Sequence, residues 1–398
     1  MRANFQNATR AGGRYRSSVR LDPPVRGVDE LWIETPVPQP ESADPFLLLL
    51  APIVLEQGQP LLLDGPVSRS LLWQLDEFVG AMRAMAPRRT WAPPTCCVTA
   101  SSPLLTATEV CDDEGVNNGR GVAAATGGID STYTLLRHAR LLPPASRVDV
   151  EHLVFVHGYD IAIDDDAGYS GALQHVEAIA ELLGIDVLPV STNYRTMGPD
   201  WEIAHGAAVA AALHAARQRA GTGLLASSAP YDELVVPWGS APYVDHLFST
   251  RSLTILHDGA IANRAAKVAA LAAWPEVIPH LKFCWAGPDA ATNCGECPKC
   301  ILTGMLFDLS GAPLPPFAVR PTDALRVQAV AEMSLGPFNL RQLGWVGALA
   351  DEKGRHDVWC EAVRGRLTPV PATAPTPTAT PAAANRGVVR RARRRLAR

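Results

Sequence analysis

From residue 118 onward, short apolar strands, glycine-bearing turns and longer helical stretches alternate, and this pattern constrains the fold more than anything else in the chain. The spacing predicts strands at 122–125, 153–156, 187–190 and 223–226. Helices are expected after the first turn to about residue 140, then at 169–183 and, rich in alanine, at 202–219. Apolar strands of this length separated by helices imply parallel pairing through right-handed crossovers. The expected class is therefore α/β, a doubly wound, Rossmann-like parallel sheet, placed over residues 113–312.

The flanking segments read differently. Residues 28–112 look like a small α/β domain of their own. A strand is expected at 31–33 and a helix opening at Asp44-Pro45, kinked at Pro52. A strand at 61–63 follows, then an amphipathic helix from Ser68 to Met85 and a strand at 96–99. Residues 1–27 carry six arginines and no long apolar run, the composition expected of a disordered leader. Residues 313–365 read as a helical closure. Residues 366–398 read as a Pro/Thr/Ala linker followed by an arginine-rich tail.

Charge and apolarity exclude some functions. The chain has 36 basic and 40 acidic residues, yet its last fourteen residues hold seven arginines and no acid, so the body is strongly acidic. Such a body is a poor duplex-binding surface, which leaves nucleic acid to the tail alone. The ten-residue apolar run at 46–55 contains Pro52 and falls well short of the roughly 20 residues needed to span a bilayer. Eight cysteines, half of them in one window, suggest a reduced, cytoplasmic setting and a metal site rather than a disulfide framework.

The first strand runs into Thr126-Gly127-Gly128-Ile129-Asp130-Ser131-Thr132. Two glycines let main-chain N–H groups approach an anion without Cβ interference, and the helix that follows points its positive end at the same place. Hydroxyls on Thr126, Ser131 and Thr132 add donors. Asp130 offers one carboxylate able to hold Mg²⁺ against phosphate oxygens. The lysine-bearing P-loop and the dinucleotide G-x-G-x-x-G are both absent, so the turn suits pyrophosphate rather than γ-phosphate transfer. Further on, Cys284, Cys294, Cys297 and Cys300 are separated by nine, two and two residues. Four thiolates fill a tetrahedral Zn²⁺ shell and leave no open position, which makes a zinc there structural. An iron–sulfur cluster or a redox dithiol would use the same residue type.

The glycine turn resembles the Ser-Gly-Gly-x-Asp-Ser signature of the N-type ATP pyrophosphatases, the PP-loop or adenine nucleotide α-hydrolase-like superfamily, with Thr126 in place of the first serine. Together with the cysteine array about 150 residues later, it looks most like the 7-cyano-7-deazaguanine synthase family. The resemblance implies cleavage of ATP between the α- and β-phosphates. A small-molecule carboxylate is adenylated, ammonia or an amine attacks it, and an amide or nitrile forms. It implies ATP, Mg²⁺ and Zn²⁺ as ligands, a possible homodimer, and catalytic roles for Asp130, Ser131 and Lys267. It places the nucleotide against Thr126, Gly127, Gly128, Asp130, Ser131 and Thr132. Val156 and His157 are implied at the adenine, and Arg264 and Lys267 as phosphate contacts. The rival readings are a sulfurtransferase on the same fold and a non-catalytic nucleotide- and zinc-binding protein.

Overall fold

The computed structural model describes residues 1–85, 104–116 and 118–368. The strand expected at 96–99 and the linker and tail beyond Thr368 lie outside them. The N-terminal half contains β1 (Arg2–Ala11), β2 (Arg14–Val25), β3 (Val28–Thr35), α1 (Asp44–Gln57), β4 (Leu61–Ser68), α2 (Arg69–Met85) and β5 (Leu105–Cys111). The next part contains β6 (Arg120–Ala124), α3 (Ile129–Leu136), β7 (Asp149–His157), α4 (Asp166–Leu183), β8 (Asp186–Thr192), α5 (Trp201–Ala216), β9 (Thr222–Ala226), β10 (Thr254–Asp258) and α6 (Arg264–Ala272). The closing helices are α7 (Pro298–Leu309), α8 (Asp323–Glu332), α9 (Pro337–Glu352) and α10 (Val358–Leu367). No helix among the described residues is long and apolar enough to cross a membrane.

All ten strands of the described residues belong to one sheet, in the order β10-β9-β6-β7-β8-β3-β2-β1-β4-β5. From β6 to β10 every pairing is parallel. The spatial order there, third-second-first-fourth-fifth, is that of a doubly wound fold with its switch point beside β6. Helices α3 and α4 contribute to the core on one face, through Ile129, Leu135, Val176 and Ile179. Helix α5 contributes to the core on the other, through Ile203 and a run of buried alanines.

Two expectations about the N-terminus are corrected. Residues 1–27 are not a disordered leader: they form β1 and β2, which pair antiparallel over most of their length. Their arginines hid a period of two. Arg16 and Arg20 face solvent while Ser17, Val19 and Leu21 are buried, and Ala3 and Val25 join the same core. The arginines find sheet partners: Arg14 pairs with Glu34, Arg2 with Asp64 at 2.8 Å, and Arg16 stacks 4.3 Å over Trp32. Nor do residues 28–112 stand apart from the parallel sheet. Strand β3 pairs antiparallel with β8 at Ile33↔Thr192 and Glu34↔Ser191. Side chains lengthen this short seam: Asn193 accepts from the Trp32 N–H at 2.9 Å and donates to Glu30 O at 2.8 Å, and Thr192 donates to Trp32 O at 2.6 Å. A shared core containing α1, α2 and α5 spans both halves.

Because β3 and β8 run in opposite directions, the halves present their carboxyl edges on opposite sides. The carboxyl ends of β6–β10 carry the glycine turn; those of β3, β1, β4 and β5 open on the reverse edge. Strand β10, at an edge and with alternate residues exposed, escapes a reading based on apolar runs.

Candidate nucleotide and metal site

Strand β6 is short and buried, and Ala125 N–H donates to Val154 O at 3.0 Å, so the turn leaves the sheet still tied to β7. Gly127 has φ +69°, the left-handed region that suits glycine. Gly128, in extended conformation, caps α3. The chain at 280–282 packs on this turn: Lys282 N–H donates to Gly127 O at 2.8 Å, and a Cβ on Gly127 would lie 3.7 Å from both His280 O and Lys282 Cβ. Ser131 steadies the loop from within, donating to Gly128 O at 3.2 Å and accepting from Thr126 N–H at 3.3 Å.

Asp130, in the first turn of α3, meets two cations from α6. Lys267 Nζ lies 2.8 Å from Asp130 Oδ1, and Arg264 donates to Oδ2 at 3.3 Å. The cap of α6, Asn263 accepting from Ala266 N–H, sets this helix so that Arg264 and Lys267, three apart, face α3 together. Lys267 is buried and also donates to Ser227 O at the end of β9. Burial works against ionisation of Asp130, but the charges of Lys267 and Arg264 outweigh it and hold the carboxyl below its ordinary range. Thr132 is fully buried, and its hydroxyl has no partner.

Two more lysines surround the turn. Lys282 is 1% exposed, its ammonium has no hydrogen-bond partner, and it lies 4.3 Å over the ring of Trp285. Burial lowers its pKa, and burial together with the charge of Arg264 lowers that of Lys299. This is a cationic setting with more positive groups than bound carboxylates, which suits a polyanion.

Beside the turn, between the ends of β6 and β7 and the start of α5, is an apolar slot. Thr126, Phe155, Val156, Tyr159, Trp201 and Trp285 are among its walls. Val156 is one of the residues lining this slot. His157 is turned away: it is buried, its ring stacks on Tyr169 at 4.3 Å, and its Nε2 bonds to Ala162 O at 2.8 Å. Trp201, Tyr159 and Trp285 were not singled out from the sequence. They come from three separate segments, and only the position of Trp201 just after a helix cap hints at an exposed end. An aromatic chain continues from Trp201 to His205 and on to Trp238. The segment between β9 and β10 thus packs, through Trp238, on the first turns of α5 behind Trp201. Within that segment Asp245 is buried and accepts from Ser240, from Ala241 N–H and from His257 Nδ1 at 2.6 Å.

The four cysteines converge. Their sulfurs all lie within 4.8 Å of one another, with Cys284–Cys294 at 3.5 Å, Cys284–Cys297 at 3.6 Å and Cys294–Cys300 at 3.7 Å. A tetrahedron with Zn–S bonds of about 2.3 Å has edges of about 3.8 Å, so the set fits a metal such as zinc. Backbone N–H groups of Ala286, Glu296, Cys297 and Cys300 point at the sulfurs from 3.3–3.4 Å, the support expected around thiolates. Hydrogen bonds from the Cys300 thiol and backbone hold Cys297 low, at about 5. Of the remaining cysteines, Cys111 is exposed and Cys360 buried; Cys96 and Cys97 lie outside the described residues.

Thr126, Gly127, Gly128, Asp130, Ser131, Arg264 and Lys267 thus gather at one place, with Val156 in the adjoining slot and the cysteine cluster linked to the turn through Lys282. No family model, no curated protein and no solved structure matches this chain.

Proposed function

We propose that the chain is an ATP-dependent C–N ligase that releases AMP and pyrophosphate. The observation that carries this reading is Asp130 held by Lys267 and Arg264 at a glycine turn on the switch point of the parallel sheet. In this reading the N–H groups of the turn and of the first turn of α3 receive the pyrophosphate of ATP, and the aromatic slot receives the adenine. Each Asp130 oxygen keeps a second lone pair, and the side chain is 27% exposed, so Mg²⁺ can be met from the solvent side. Lys267 acts through Asp130: buried against Ser227, it fixes the carboxylate.

The reaction proceeds in two displacements. A substrate carboxylate oxygen attacks the α-phosphorus and pyrophosphate leaves. Ammonia or an amine then attacks the acyl carbon, a proton is lost, and AMP leaves with the amide formed. Loss of water from a primary amide, driven by a second ATP, gives a nitrile. The zinc is structural in this scheme, since its four thiolate ligands leave no site for water. A sulfurtransferase on this fold needs a persulfide-bearing or cluster-bound cysteine near the turn, and no cysteine lies between Cys111 and Cys284, which favours the ligase reading. The test is incubation with ATP, ammonium and a panel of acids that includes 7-carboxy-7-deazaguanine. Acid-dependent AMP and pyrophosphate are expected, and ADP and phosphate would sink the proposal.

A further inference from the structure

The reverse edge of the sheet holds a second cavity, of about 440 Å³, unconnected with the glycine turn. It lies where the carboxyl ends of β4 and β5 and the start of α1 meet the end of α5. Ligand crevices in open α/β sheets form outside the carboxyl ends of strands, and the antiparallel seam gives this protein two such edges.

The polar lining is specific. Asp44 and Ser68, both buried, bond to each other: the Ser68 N–H and hydroxyl donate to the two Asp44 oxygens at 2.7 and 2.6 Å. Asp113 is held by the Ser70 hydroxyl at 2.9 Å. His214 is 3% exposed, and its Nε2 faces Phe248 O at 2.9 Å. A carbonyl accepts only, so the proton sits on Nε2, and Nδ1 is left as a lone pair without a partner among the described residues. Burial lowers the pKa of this imidazole, which favours that neutral form. Arg217 spends one N–H on Ser252 O at 3.0 Å and has others free. Glu114 stands exposed at the rim.

One metal ion does not suit this lining. Among the described residues only the four cysteines bring three or more ligand atoms within 4.8 Å, so these carboxylates and His214 are too widely spread to converge on a point. A ligand of several atoms does suit it. It would carry an ammonium for the acidic groups and the Nδ1 lone pair, and a carboxylate for the free edge of Arg217. We propose that this cavity binds a free α-amino acid. It is a site separate from the ATP chemistry, and its occupancy does not depend on that reading.

The experiment is isothermal titration calorimetry on the full chain with L-alanine, L-lysine and L-glutamate in turn. Methylamine and acetate serve as controls carrying one charge each. At least one amino acid should bind, with both controls at least about tenfold weaker. Arg217→Met should weaken that binding at least about tenfold. Where Arg217→Met does not fold, Glu114→Lys at the exposed rim decides: weaker binding supports the site, and unchanged binding overturns it. No heat from any of the three amino acids at about 10 mM overturns it too, as does methylamine or acetate binding as tightly.

Discussion

Lys267 Nζ sits 2.8 Å from Asp130 Oδ1 and, through its second bond to Ser227, ties the first turn of α3 to the end of β9. A single ammonium therefore joins the strands on either side of the switch point.

Replacing Asp130 with Asn leaves Lys267 and Arg264 buried without their counter-charge. A wholly buried pair broken this way costs about 3–5 kcal/mol; with 27% of the Asp130 side chain exposed, about 2–3 kcal/mol is expected. AMP formation should vanish at the same time. Urea unfolding midpoints and a product assay measure the two effects separately.

The same pair sets a pH dependence. The folded Asp130 carboxyl ionises below its ordinary range, so its contribution is present above the unfolded pKa of about 3.9 and is lost only as pH falls through the lower folded value. The stability gap between wild type and Asp130→Asn should stay constant from neutral pH to about pH 5 and close only in stronger acid. A gap that closes on raising the pH toward neutrality would contradict the pairing.

Two glycines near the site should respond differently to alanine. At Gly158, φ is +98° and a Cβ would fall 1.8 Å from Thr192 O, so the backbone at the ends of β7 and β8 has to move; about 3 kcal/mol or more is expected. At Gly127 the added methyl meets nothing closer than 3.7 Å, and the cost is the left-handed conformation alone, about 1–2 kcal/mol. Gly127→Ala should nevertheless lose most AMP-forming activity, because relaxing the strain re-aims the turn's N–H groups. Thermal melts beside turnover rates separate the two.

Metal analysis of the purified chain should find about one zinc per chain. Cys297→Ser, or a strong chelator, should lower both metal content and melting temperature, because the four ligands hold together the 284–300 segment that adjoins Lys282 at the glycine turn. Retention of full metal by Cys297→Ser would remove the four-thiol site from consideration.

Deleting residues 1–27 should give an insoluble or unfolded chain. It strips two strands from the sheet and uncovers a core to which Ala3, Val19, Leu21 and Val25 contribute. Circular dichroism and solubility of the truncated chain decide this.

The glycine turn and the cysteine array were legible because each is local: residue types at fixed spacing determine the turn and the shell. The four inner parallel strands were legible because they are buried on both faces and read as apolar runs. Strands β1 and β2 were not, since Arg16 and Arg20 alternate with inward residues and composition drowned the alternation. Strand β10, Thr254–Asp258, was missed for a related reason, being a half-exposed edge. The slot was invisible because Tyr159, Trp201 and Trp285 meet only once the chain has folded. Asn193 bonding across the seam to Trp32 and Glu30 likewise has no local signature.

Helix α5 has a mechanical consequence. Its 16 residues make a rod of about 24 Å. Trp201 at one end walls the slot beside the glycine turn, and His214 and Arg217 at the other wall the reverse cavity. Its buried alanines and Gly206, where a Cβ would fall 2.0 Å from Gly239 O, leave no room for the rod to bend or tilt. The same contacts fix the rod along its length, so the separation of the two walls is set by a single helix, as a strut sets the gap between two plates.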